Sequence, residues 1–375
     1  MGKFYIVRDC YAPSTAPVNR MLGFLKVFSE IGAIMDVVFF MPDAKRSKAE
    51  PDSNIRYHYY WKYLPFVQNW IRFPLYLFLY RYLFALRVKK GDTVLLMGCS
   101  PLVPILTSKK GVRVFHERTE HPEVVKVKFL NLETYYKASA KLSGLFAISS
   151  PIRDYFVEIG VAPEKAHVIN MTVDPTRFEE LEQDHVPDYI AYCGTASNNK
   201  DGVDELIKAF AIVHRTHPTV KLYIIGASPT KTDAAGNQKL IKDLGIQDFV
   251  VLTGRIPAQQ MPQILKNAKV LALDRPKNKQ ADYGFPTKLG EYLLTENPVV
   301  VTKVGTIPDF LEDGVSALMS EERNPTGFAS KICWALEHPK EAAIIGRAGA
   351  EVAMKYFNAQ AEGTRMYSIM FGNNG

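Results

Sequence analysis

Short apolar runs alternate with longer amphipathic segments along the whole chain, and this alternation limits the possible folds more than any other feature of the sequence. Lys3–Val7, Asp36–Met41, Asn54–Tyr60, Asp92–Gly98, Arg113–His116 and Gly144–Ile148 read as strands, and so do Tyr189–Tyr192, Lys221–Ile225, Val250–Leu252, Val270–Leu273 and Pro298–Thr302. Helices are expected between them, including Val18–Ile31, Gly202–His217, Asn237–Leu244 and Thr287–Leu294. Strands that alternate with helices pair in parallel and are covered on both faces, so the chain is α/β with two Rossmann-like series. Its 375 residues suit two domains, each large enough to bury a core.

The stretch Asp282–Thr302, DYGFPTKLGEYLLTENPVVVT, carries the clearest chemistry. Pro286 is tolerated where a helix begins, and the N–H groups of Thr287, Lys288 and Leu289 are then free to face an anion. With Lys288 beside them and the helix dipole behind, a diphosphate can be held without a metal. Glu291, one turn further on, can accept hydrogen bonds from two vicinal sugar hydroxyls. Diphosphate and ribose together describe a nucleotide, although the same residues also suit an ordinary αβ unit whose glutamate faces water. GFPTKLGEYL followed by PVVVT resembles the P-x-K-L-x-E-Y donor segment of the family-four retaining glycosyltransferases (glycosyl transferases group 1), which have the GT-B fold.

That resemblance implies two Rossmann-like domains facing a central cleft, with a C-terminal helix crossing back to the first. The expected boundaries are 1–168 plus 358–375 for an acceptor-binding domain and 169–357 for a nucleotide-sugar-binding domain. It further implies that Phe285, Pro286, Thr287, Lys288 and Leu289 line the diphosphate and that Glu291 takes the ribose. The family's earlier glutamate, eight residues upstream, is replaced here by Tyr283, which leaves its task to Asp282, to backbone or to nothing. A second match is the segment Ser149–Phe178, in which Asn170, Val173 and Asp174 stand in the places of an N-x-V-D turn at the domain crossover. In the loop CGTASNNKDG, Gly194 and Lys200 match the donor-phosphate loop, but Thr195 occupies the place of the usual arginine. Arg255 in TGRIP, a residue of the first domain, or the helix N-terminus is left to supply the missing charge.

The first domain matches less closely. Ser14 and Thr15, in the loop DCYAPSTAPVNR, stand where relatives carry glycines near the acceptor. His116 is expected to emerge at the end of its strand and to steady the transferred sugar, with His121 as a second candidate and Glu117 and Glu120 close enough to orient either ring or touch an acceptor. Lys200, Lys288 and the amides at 287–289 would stabilise charge growing on the departing diphosphate. The expected reaction is hexosyl transfer, with retention, from a UDP- or GDP-sugar to a lipid-linked or polysaccharide acceptor in bacterial cell-envelope glycan synthesis. No cofactor and no metal are expected. A nucleotide-sugar 2-epimerase of the same fold and a non-catalytic membrane-associated GT-B protein are the alternatives. A dehydrogenase is disfavoured, because no G-x-G-x-x-G follows the first strand of either half.

Charge and cysteine usage bear on partners. Residues 1–168 hold 24 Lys and Arg against 14 Asp and Glu, a net +10, whereas the whole chain is +7. The first half therefore faces something acidic, and since no nucleic-acid motif accompanies the charge, an anionic membrane or a phosphorylated acceptor is favoured. Residues 61–90, WKYLPFVQNWIRFPLYLFLYRYLFALRVKK, interleave aromatics with arginines. Arg72, Pro74, Arg81 and Arg87 interrupt any run long enough to cross a bilayer, so the stretch reads as interfacial or as a core helix with snorkelling arginines. No secretory signal is apparent at the N-terminus, and the scattered Cys10, Cys99, Cys193 and Cys333 read as free thiols, which together indicate the cytoplasm; the interfacial reading of residues 61–90 would add peripheral attachment to the inner membrane face.

Overall fold

A computed structural model describes residues 2–13, 15–43, 45–62, 73–124 and 131–372; Ser14 and residues 63–72 of the aromatic stretch lie outside them. The chain divides into two compact units, residues 1–170 with 359–375, and residues 171–358.

The first unit runs β1 (Phe4–Tyr11), α1 (Ala16–Glu30), β2 (Met35–Pro42), β3 (Ile55–Tyr59), α2 (Phe73–Arg87), β4 (Thr93–Met97), α3 (Leu102–Thr107), β5 (Arg113–Arg118), α4 (Leu132–Ser139), β6 (Gly144–Ala147), α5 (Ser150–Glu158) and β7 (Ala166–Val168). Its seven strands form one sheet in the order β3-β2-β1-β4-β5-β6-β7, with every pairing parallel. The second unit follows with β8 (Tyr189–Cys193), α6 (Asn198–Asp201), α7 (Val203–Thr216), β9 (Lys221–Ile225), α8 (Lys231–Asp243), β10 (Val250–Gly254), α9 (Met261–Asn267), β11 (Val270–Leu273), α10 (Lys279–Tyr283), α11 (Thr287–Leu294), β12 (Val299–Thr302), β13 (Leu318–Ser320), α12 (Pro325–Glu337) and α13 (Pro339–Tyr356). Its six strands are parallel as well, in the order β10-β9-β8-β11-β12-β13. These are two Rossmann-like parallel sheets, as the resemblance implies.

Central strands such as β4, β8, β11 and β12 are buried along their whole length, as parallel strands covered on both faces must be. In each sheet the order reverses beside the first strand, between β1 and β4 and between β8 and β11. The loops leaving β1 and β8 therefore open at the switch points, where α/β sheets place their ligands.

The last helix, α14 (Ala359–Phe371), belongs to the first unit. Phe371 packs edge-on against Phe4 at 5.0 Å, Arg113 donates to the Met370 carbonyl, and Glu362 accepts from the Asn170 amide at 2.7 Å. Arg20, buried on α1, secures the chain just before it leaves this unit. It donates to Glu117 at 2.6 Å, to the Ile169 carbonyl at 2.9 Å and to the Asn170 carbonyl at 2.5 Å.

Replacing Arg20 strands a buried carboxylate and two carbonyls, so Arg20→Met is expected to cost about 3–5 kcal/mol in chemical denaturation. Adding Glu117→Leu should recover part of that loss. A single-variant cost below about 1 kcal/mol, the range of a surface pair, would show that the network is not a structural anchor.

Candidate functional site

The GFP turn and its helix form as the local chemistry requires. Pro286 is the N-cap of α11, with extended backbone and no side-chain cap, and the helix spans the residues expected. Two amides, not three, remain for a ligand: the Leu289 N–H turns back onto the Pro286 carbonyl at 2.9 Å, which leaves those of Thr287 and Lys288. Phe285 is buried against Phe310 and Phe357, with ring centroids 5.4 and 5.0 Å away, so it anchors the turn from behind.

Beside α11 lies the loop leaving β8. Gly194 has no room for a side chain, because a Cβ there would meet the Lys288 ammonium at 2.3 Å and the Tyr192 hydroxyl at 3.0 Å. Lys288 is held at 2.5 Å from the buried Asp201 carboxylate and 3.0 Å from the Tyr192 hydroxyl, over whose ring it sits at 4.6 Å. Burial lowers its pKa, while Asp201 acts in the opposite direction. The expected phosphate cation is thus fixed in place by an internal counter-ion. Lys200 enters from α6, whose first turn is capped by Ser197, and its charge is also felt at Lys288. The Cys193 thiol at the end of β8 is pushed up to about 12 by burial and then by Glu291, with Lys288 and Arg177 opposing, so all four groups share one edge of the sheet. Arg255 is exposed in the loop after β10.

Two side chains at this edge escaped the sequence reading. Arg177 forms an ion pair with Glu291 from 114 positions away, and Asp201 pairs with Lys288 from 87. The fold brings them together across these separations, and no local pattern marks either.

In the first unit β5 continues to Arg118, so His116 lies inside the strand and does not emerge from it, as had been expected. Three successive polar side chains are accommodated there because each finds a buried partner. His116 places Nε2 at 2.9 Å from the Gly98 carbonyl and Nδ1 at 3.3 Å from the Tyr135 hydroxyl, Glu117 takes Arg20, and Arg118 donates to Ser100 at 2.8 Å. Burial, and then the Arg118 charge, hold His116 well below the usual imidazole range and therefore neutral. Its ring is sealed in the core. His121 is also buried, with its ring 4.3 Å from that of Tyr155 and Nδ1 accepting from the Glu123 amide at 3.2 Å. Thr15 is exposed at the start of α1 and lines a hollow of about 200 Å³ with Asp9, Cys10, Met97 and Cys99 at the β1 switch point. Among the described residues no cluster of three His, Cys, Asp or Glu side chains could hold a metal ion.

The sequence model of the family described as glycosyl transferases group 1 matches residues 187–338, the span that carries the loops after β8 and β10 and the turn before α11 but not Arg177. The match covers 152 of the 375 residues. Over 267 residues the chain is 24% identical to the MMP alpha-(1->4)-mannosyltransferase of Mycolicibacterium hassiacum, covering 70% of this chain and 62% of that protein. It is 28% identical over 212 residues to the D-inositol 3-phosphate glycosyltransferase of Segniliparus rotundus, covering 54% of this chain and 46% of the relative. The chain thus spans about half the length of the curated relatives it matches. The crystal structure of HepE from Anabaena in complex with UDP superposes with a TM-score of 0.74 at 15% identity, covering 98% of both chains, which establishes the shared fold.

One titrating group lies within this matched segment. Asp274, just past β11, is buried with Oδ2 unpartnered among the described residues, and burial, followed by the charges of Glu205 and Asp204, pushes its carboxyl up to about 7. A folded-state value above the unfolded one means that folding takes up a proton between the two, so stability falls as pH rises through that window. Asp274→Asn removes this dependence. In urea unfolding the variant should gain on the wild type by about 1.4 kcal/mol per pH unit between pH 5 and 7. A difference that does not change with pH would exclude Asp274 as the titrating group.

Proposed function

We propose that the chain is a retaining, metal-independent glycosyltransferase that moves a hexosyl group from a UDP- or GDP-sugar to a lipid-linked or polysaccharide acceptor of the cell envelope. The observation that carries this reading is the convergence of Gly194, Lys200, Lys288, the free amides of Thr287 and Lys288, and Glu291 at the carboxyl edge of the second sheet. A diphosphate over the start of α11 meets two amides and two lysines, and a ribose one turn further meets Glu291. As the bond from the anomeric carbon to the diphosphate oxygen breaks, negative charge grows on that oxygen next to these donors. The acceptor hydroxyl attacks from the same face, and its proton passes to the departing phosphate oxygen, so no protein nucleophile is required. Fixing the nucleotide away from the reacting carbon supplies orientation. The UDP and the UDP-glucose bound in structures of HepE support a nucleotide-sugar donor.

On the acceptor side, α2 supports contact with the cytoplasmic face of a membrane. Leu75, Phe78, Tyr82, Leu83 and Leu86 are 38–66% exposed along it, at helical spacing, and Arg87, Lys89 and Lys90 follow on the surface. Apolar rings beside cations suit the boundary between acyl chains and anionic headgroups. Among the described residues no helix is long and apolar enough to cross a membrane.

Calorimetry with UDP, GDP and ADP and their common sugars, run with a chelator present, tests the donor site. One nucleotide should bind selectively, and Glu291→Ala should weaken that binding at least about tenfold while leaving it measurable; no binding by any of them would overturn the proposal. Cosedimentation tests the membrane contact. The wild type should partition onto phosphatidylglycerol vesicles and less onto phosphatidylcholine, and Leu75→Ser/Phe78→Ser/Leu86→Ser should remain in solution. Equal partitioning of the two proteins would exclude α2 as the contact.

A further inference from the structure

Glu291 does not stand alone at the edge of the sheet. The Arg177 guanidinium holds its Oε1, with the two side chains 33 and 23% exposed, so both still reach solvent. The other terminal nitrogen of Arg177 lies 3.5 Å from the Ala258 carbonyl, in the segment after β10.

Three local features place the arginine there. Asp174 caps the turn Pro175–Arg177, accepting from the Thr176 amide at 3.1 Å and the Thr176 hydroxyl at 2.7 Å. The Val173 amide donates to the Phe357 carbonyl at 2.8 Å and fixes the chain entering that turn. Gly290, immediately before Glu291, lets the same chain lie directly on α11: a Cβ on Gly290 would fall 2.5 Å from Met171 Cε and 2.8 Å from Val173 Cγ1. The turn and the glutamate are thus brought together where the Met171 and Val173 side chains fill the space that a Cβ on Gly290 would take.

We propose that Arg177 is a positioning residue that sets Glu291 for recognition of the nucleotide ribose; the inference rests on the donor-site reading above. A carboxylate offers two oxygens with about four lone-pair directions, so an arginine on Oε1 leaves Oε2 free to accept from vicinal hydroxyls. The glutamate's rotamer freedom is given up on folding, before any ligand arrives, which is how preorganisation raises affinity. Through the Ala258 carbonyl the same guanidinium ties this carboxylate to the loop after β10, so one side chain sets the spacing between two parts of the nucleotide site.

The test is calorimetry on the full chain with UDP and GDP and with their dideoxyribose counterparts, which lack the hydroxyls that Glu291 would read. The wild type should prefer a ribonucleotide over its dideoxy counterpart. Arg177→Ala should weaken ribonucleotide binding at least about tenfold, the equivalent of one charged hydrogen bond, and leave dideoxynucleotide binding unchanged. Arg177→Lys should restore part of the loss, since it keeps the charge without the planar fork. In a Glu291→Ala background, Arg177→Ala should have no further effect. Equal losses for both sugars, undiminished discrimination in Arg177→Ala, or tighter binding by that variant would each overturn the role. Wild-type protein that binds none of the four ligands would instead refute the donor-site reading, and this inference with it.

Discussion

Every strand pairing in both sheets is parallel, and most of what positions the chemistry follows from that constraint. Parallel strands must be joined by crossovers, so each unit is a sheet between layers of helices. All carboxyl ends in a sheet then point the same way, and the chain leaves each strand at the same edge. Residues as distant in sequence as Cys193, Lys288 and Glu291 are gathered by this geometry, and the turn that precedes β8 brings Arg177 to them. The first strand of each unit lies in the interior of its sheet with crossovers diverging from it, and the short, glycine-tolerant loops at the two switch points are the consequence.

The same edges concentrate charge, and the two units handle it differently. In the first, Arg20 and Glu117 are sealed together, and His116 is kept neutral by burial. These groups set the position of α1 and the exit of the chain, at the desolvation cost that buried ions carry. In the second, Lys288 with Asp201 and Glu291 with Arg177 are paired while Lys288 and both members of the other pair still reach solvent. An incoming anion or diol meets partners that are already oriented, and the internal counter-ion limits how far each side chain has to move.

Much of this architecture was legible in the sequence, for identifiable reasons. Runs of β-branched and aliphatic residues fixed the strands, because a strand buried on both faces tolerates little else. Thr287–Leu294 was readable from the proline before it and the spacing of Leu289, Leu293 and Leu294. Other boundaries were not. Helix α8 begins six residues before the expected Asn237, since Thr230 caps it through the Asp233 amide, a signal in a polar stretch that the apolar pattern does not reveal. Strand β5 runs two residues beyond its expected end, because the polar triplet His116–Arg118 finds its partners on α1, after β4 and on α4, and sequence spacing does not show such contacts. For the same reason the glutamate of the candidate site could be named from its motif, while the arginine that holds it could not.

The discontinuity of the first unit affects how the chain is made. Residues 1–170 emerge first from the ribosome, yet the helix that covers Phe4 and Phe28 lies at 359–371. The second unit is continuous and is fully synthesised before α14 exists. Until that helix arrives, an apolar strip of the first sheet and of α1 lacks its cover, and the Asn170 amide lacks the Glu362 carboxylate. Contacts of this sequence separation are slow to close, and the uncovered surface is open to association meanwhile. The order of synthesis thus makes the amino-terminal unit the last to be completed.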